Sequence, residues 1–65
     1  MAKYYLVVAK IGGVWDVEHG TYDRKEAVAE LDIAKQSGSV EAAKIVSCLD
    51  VIEEIQRTIE GLNND

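Results

Sequence analysis

Proline is absent from this 65-residue chain, and cysteine and histidine occur once each, as Cys48 and His19. A single thiol cannot close an internal disulfide, which fits a reducing, cytoplasmic setting. A structural zinc site takes about four Cys or His ligands, and only these two exist. The calcium-loop pattern Asp-x-Asp-x-Asp-Gly is missing too. No metal and no cofactor is therefore expected. Residues 4–9, Tyr-Tyr-Leu-Val-Val-Ala, are too few to cross a bilayer and short for a signal-peptide core, and Lys10 ends them. Bases are scarce, seven Lys and Arg against twelve Asp and Glu, for a net charge of −5. That balance opposes direct contact with nucleic acid or anionic membrane and favours a basic partner.

What is present describes one small folded domain spanning 1–65. The hydrophobic content of 48% is that of a globular protein. A chain this short buries only about 60% of its unfolded surface, which leaves little room for a deep cleft. Residues 4–11 are β-favouring, Gly12-Gly13 follow, and Val14-Trp15-Asp16-Val17-Glu18-His19 alternates apolar with polar. This predicts a hairpin with a primed turn. The register then pairs Ile11 with Val14, Lys10 with Trp15, Val8 with Val17 and Leu6 with His19. Leu6, Val8, Trp15 and Val17 form the expected core face. Tyr5, Val7, Ala9, Ile11 and Val14 would look outward and stay partly wet. Gly20-Thr21-Tyr22 closes the second strand.

Asp23-Arg24-Lys25-Glu26 reads as a capping box opening a helix at 24–36, with Ala27, Val28, Leu31 and Ala34 on its inner face. Between Val40 and Glu60 there is neither glycine nor proline, so one long helix is conceivable. However, Lys44-Ile45-Val46-Ser47-Cys48 is β-favouring, and Asp50-Val51-Ile52-Glu53 repeats the box. The preferred reading is a third strand at 43–48 and a helix at 51–62, with Ile52, Ile55, Ile59 and Leu62 inward and residues 62–65 fraying. The fold class is α+β: a small antiparallel sheet with two helices on one face, in β-β-α-β-α order.

Catalytic chemistry is thin. His19 and Cys48 could cooperate only if the third strand aligned them; otherwise His19 is an edge residue and Cys48 packs as a small apolar group. Gly12-Gly13 lacks the third glycine and the Lys-Ser/Thr pair of a phosphate loop. Nothing near Asp16 and Glu18 would raise a carboxyl pKa for acid–base work. An enzyme is not expected.

Surface charge remains. Residues 49–65 carry Asp50, Glu53, Glu54, Glu60 and Asp65 against Arg57 alone, −4 of the total −5. Glu26 and Glu30 are one turn apart, as are Asp50 and Glu54, and Asp16 and Glu18 would sit about 7 Å apart along a strand. Acids at helix starts suit the helix dipole, so capping and solubility are one explanation. The other is a row of carboxylates replacing a nucleic-acid backbone in a basic groove. Its candidate partner-binding residues are Asp16, Glu18, Glu26, Glu30, Asp50, Glu53 and Glu54. An outward Tyr5–Val7–Ile11 face would instead serve a homodimer, with Tyr4, Tyr5 and Tyr22 as contact anchors.

Lys-Tyr-Tyr-Leu-Val-Val, then Gly-Gly-Val-Trp-Asp-Val-Glu-His-Gly-Thr-Tyr-Asp-Arg, Lys-Ile-Val and a terminal Glu-Gly-Leu-Asn-Asn resemble small early-region proteins of bacteriophages and prophages, chiefly through Trp15, Gly20, Tyr22-Asp23-Arg24 and Leu62-Asn63. The resemblance implies a phage origin, a host-cell cytoplasmic location and the third strand in place of the long helix. Very small acidic members of that group look like anti-CRISPR and anti-restriction inhibitors; no functional residue carries over. The expected function is thus an inhibitor, a monomer or weak homodimer. It would bind a basic protein or nucleoprotein complex of the host, foremost a CRISPR interference complex, and exclude its DNA by charge and bulk. The alternative is a non-catalytic assembly module with acids only for solubility.

Overall fold

The computed structural model describes residues 3–64. The order is β1 (Tyr4–Ile11), β2 (Val14–Thr21), α1 (Arg24–Gln36), β3 (Ala42–Cys48) and α2 (Ile52–Asn63). The α+β class, the β-β-α-β-α order and the third strand are as expected. Gly12 and Gly13 form the hairpin turn at φ 61° and 81°, the left-handed values that a type I′ turn demands of both positions. β1 is the central strand, antiparallel to both neighbours in the order β2-β1-β3.

The register agrees with expectation from the turn to Val8–Val17 and then shifts. Val7 pairs with His19 and Leu6 with Gly20, so Glu18 is an extra residue, a β-bulge. Because side chains alternate across a sheet, one inserted residue reverses the facing of everything beyond it. Trp15 and Val17 share a face with Leu6 and Val8. His19 and Thr21 share the other with Tyr5, Val7 and Ala9. His19 therefore leaves the face first assigned to it.

Both faces are core. Leu6, Val7, Val8 and Ala9 are consecutive, point alternately to the two sides, and are each no more than 1% exposed. α1 covers the Val7 side, where Glu26 lies 3.3 Å from His19. α2 covers the Val8 side, where Ile55 and Ile59 border Val17. No Cα of one helix comes within 8 Å of the other. The helices thus sit on opposite faces and not together on one. The expected wet face is a second core over part of its length: Val7 and Ala9 are sealed under α1 and Tyr5 is half-buried, while Ile11 and Val14 are exposed at the hairpin end as expected. A continuous apolar strand such as Tyr4–Ala9 fits burial on both sides. Fully burying Leu6, Val7 and Val8 contributes about 1.5–3 kcal/mol each.

The helix starts differ from the two expected boxes. Asp23 does cap α1, its Oδ1 accepting from Lys25 N at 2.9 Å. Glu26 does not reach back, because Thr21 Oγ1 already accepts from Asp23 N at 3.0 Å. The second box fails: α2 begins after Val51 with no side-chain cap, and Asp50 instead accepts from the Tyr22 hydroxyl at 2.7 Å. Ile52, the first residue of α2, is 72% exposed at the open end of the helix and not inward, while Ile55, Ile59 and Leu62 stay half-buried. Val28 of α1 is likewise 43% exposed instead of inward.

Leu62 and Asn63, expected to fray, instead close α2, and Asn64 N donates to Glu60 O at 3.0 Å. Helix α2 runs to Asn63, whose side chain clamps the outer edge of β2. Trp15 N donates to Asn63 Oδ1 at 2.7 Å, and Asn63 Nδ2 donates to Trp15 O at 3.1 Å. Asp65 lies outside the described residues.

Candidate functional site

β2 and β3 both run antiparallel to β1, so both end at the same end of the sheet and both helices start there. Asp23 and Glu26 arrive with α1, and Asp50, Glu53 and Glu54 with α2. The Tyr22–Asp50 bond ties the two helix starts together. Tyr4 and Tyr22 stack beside it, ring centroids 4.9 Å apart and tilted by 56°. Gly20 makes this possible: a Cβ there would overlap the Tyr4 hydroxyl and sit 2.8 Å from its Cζ. Around Asp50, Leu49, Val51 and Ile52 are exposed, as is Tyr22. One end of the molecule therefore combines carboxylates with exposed apolar side chains. Arg24 and Lys25 of the first α1 turn interrupt it.

The seven candidate acids are not one row. Glu26 and Glu30 belong to α1, over one face of the sheet, and Asp50, Glu53 and Glu54 to the α2 side. Asp16 lies in the hairpin half of β2, its Oδ1 accepting from Val17 N at 2.8 Å. Glu18 is the bulge residue, so the alternation that would have aligned it with Asp16 is broken. Glu30 is half-buried in the second turn of α1.

Several of these acids have local partners. The Thr21 hydroxyl, then the His19 imidazole, hold the Glu26 carboxyl below its usual range. The 3.3 Å His19 Nε2–Glu26 Oε2 approach is an ion-pair distance without hydrogen-bond alignment, so that buried Nε2 has no hydrogen-bond partner. Glu54 meets Arg57 at 3.3 Å, an exposed pair one turn apart worth a few tenths of a kcal/mol. Donation to Asp50, above all, and burial raise the Tyr22 hydroxyl's pKa. Glu53 has no such partner among the described residues.

His19 and Cys48 do not form a dyad. Cys48 pairs with Tyr4 and so lies on the α2 face, in the opposite edge strand from His19. Burial, the leading cause, pushes the Cys48 thiol up. Among the described residues, no group of three or more His, Cys, Asp or Glu is arranged to hold a metal ion. No helix among them is long and apolar enough to cross a membrane.

Two features escaped the sequence. An open groove of about 480 Å³ separates the β2 edge from α2, with Val17, Ile55 and Ile59 at its base and Asp16, Gln56 and Glu60 along it. Glu41 joins the hairpin tip to β3: Gly13 N donates to its Oε2 at 3.0 Å, and its own N–H donates to Lys10 O at 2.8 Å. Glu41 had no local signal, because its partner is 28 residues away.

Comparison with family models, curated proteins and solved structures finds no match for this chain.

Proposed function

We propose that the protein is a non-catalytic, phage-type inhibitor that docks on a basic, nucleic-acid-handling host complex and excludes its DNA. The observation that supports this reading is the shared start of the two helices. It gathers Asp23, Glu26, Asp50, Glu53 and Glu54 around exposed Tyr22, Leu49, Val51 and Ile52. Buried apolar anchors within a charged rim are how specific protein interfaces are built. Carboxylates on the rim would steer the approach to a Lys/Arg groove. The docking element is this mixed end, more compact than an extended strip of phosphate mimics.

A CRISPR interference complex, which holds nucleic acid in positively charged channels, is the first partner to test. Its DNA binding is measured with and without this protein over a salt series, using wild type and an Asp50→Lys/Glu53→Lys variant shown to be folded by circular dichroism. Inhibition should weaken as salt rises and vanish on charge reversal. Inhibition that survives the reversal with unchanged salt dependence defeats the reading.

A further inference from the structure

The two edges of the sheet are finished differently. On β2, Trp15 N and O point outward and are taken by Asn63, Val17 N is taken by Asp16, and Glu18 bulges. These are the devices that stop another strand from adding to an edge. Among the described residues, the β3 edge has neither a side chain bonded to its outward backbone groups nor a bulge, and Lys44 is its one charged side chain.

Its free groups follow from the ladder. In an antiparallel pair, the backbone groups of successive residues point alternately to either side. Trp15 faces outward, so its partner Lys10 does not bond to β2. Lys10 O indeed accepts from Glu41 N, on the β3 side. Lys10, Val8, Leu6 and Tyr4 therefore bond β3, through Ala42, Lys44, Val46 and Cys48. Ala43, Ile45 and Ser47 are left with N–H and C=O aimed away from the sheet. None of them has a hydrogen-bond partner there among the described residues.

We propose that this edge pairs with β3 of a second copy, forming a two-fold homodimer with a continuous six-stranded sheet. A two-fold axis at Ile45 sets Ile45 against its copy and Ala43 against the copy's Ser47, which satisfies every outward backbone group of both strands at once. The same register sets Lys44 against Val46, so no like charges face each other. Lys44 is turned aside in any case, its Nζ 4.9 Å from the centre of the Trp15 ring. Residues 42–48 contain no acid. A chain of net charge −5 meets its copy with least repulsion there. Val28 adds apolar surface: it lies two residues, about 200°, around α1 from Glu26, which faces β2, and so flanks β3. This interface is independent of the inhibitor reading.

The test is sedimentation equilibrium from micromolar to millimolar protein, with amide hydrogen exchange at the two extremes. The mass should rise toward twice the monomer's. Ala43, Ile45 and Ser47 amides should gain protection with concentration, at least tenfold, while the Trp15 amide should not change. Ser47→Pro removes one outward donor without touching the bonds to β1, and Ser47 is exposed. That variant should stay monomeric, and Ser47→Ala should still associate. A monomeric mass throughout, or a dimer that leaves the exchange of those three amides unchanged, overturns the proposal. So does a folded Ser47→Pro that dimerises like wild type. Should Ser47→Pro not fold, the wild-type exchange pattern decides alone.

Discussion

Val7→Lys separates a two-layer protein from a three-layer one. With both helices on one face, Val7 would lie on the wet side and a lysine there would be tolerated. In the structure, Val7 is fully buried beneath α1. The substitution removes about 1.5–3 kcal/mol of valine burial. It also forces an ammonium into a sealed site: Val7 is flanked by His19 and Ile45, and the carboxylate of Glu26 above it is already set against His19 at 3.3 Å. The effective penalty for an unpaired buried charge is several kcal/mol. Domains gain about 0.05–0.15 kcal/mol of net stability per residue, hence roughly 3–10 kcal/mol for this length. The losses match the whole, so Val7→Lys should be largely unfolded by far-ultraviolet circular dichroism at room temperature. Val14→Lys is the control, because Val14 is 56% exposed at the hairpin tip. It should change stability in urea by no more than about 0.5 kcal/mol. A folded Val7→Lys with a wild-type urea midpoint would refute the three-layer arrangement.

Other variants test the remaining joints. Gly20→Ala should displace the Tyr4 ring, cost about 0.5–1.5 kcal/mol from the Tyr4–Tyr22 pair, and reduce the near-ultraviolet dichroism of tyrosine. Asn63→Ala should cost about 1–2 kcal/mol through its two bonds to Trp15 and speed exchange of the Trp15 amide; unchanged exchange would exclude the clamp. Glu26 titrates below its ordinary value in the folded protein. Its contribution is full above the unfolded value and lost as pH falls through the folded one, so Glu26→Gln should flatten the acid limb of the stability curve. Tyr22 is shifted the other way. Its contribution is full below the unfolded value and lost as pH rises through the folded one. Asp50→Asn should lower the pH at which the Tyr22 phenolate absorbance appears.

Local signals carried most of the fold and little of the site. Two glycines fixed the turn and the strand pairs next to it, and Asp23 marked the first helix. The register failed at Glu18 because a bulge answers a non-local demand. His19 and Thr21 face α1, while Gly20 faces the other way to leave room for Tyr4. The layering failed because the alternation in Val14–Glu18 looked one-sided, although the unbroken run in β1 already pointed to burial on both faces. Asp50 failed as a cap because Tyr22, far away in sequence, competes for its carboxylate. The acids were legible as a composition but not as a surface. Which of them share one end depends on β2 and β3 running the same way.

Burial of both sheet faces leaves a partner only the helix exteriors, the strand edges and the ends. The two proposed surfaces divide these regions without conflict. In a two-fold antiparallel pairing of β3, the Cys48 end of one strand lies beside the Ala42 end of the other. The acidic ends, which follow Cys48, are therefore carried to opposite ends of the six-stranded sheet. At about 3.3 Å per residue, the paired strands alone separate them by roughly 20 Å. The dimer would present two docking ends pointing apart, each free to hold one basic partner. Asp50→Lys/Glu53→Lys should then abolish partner binding and leave the dimer intact. Ser47→Pro should halve the number of partners per assembly and keep the salt dependence of each contact. A dimer that dissolves on reversing those two acids would place the self-association at the acidic end and remove the separation argued here.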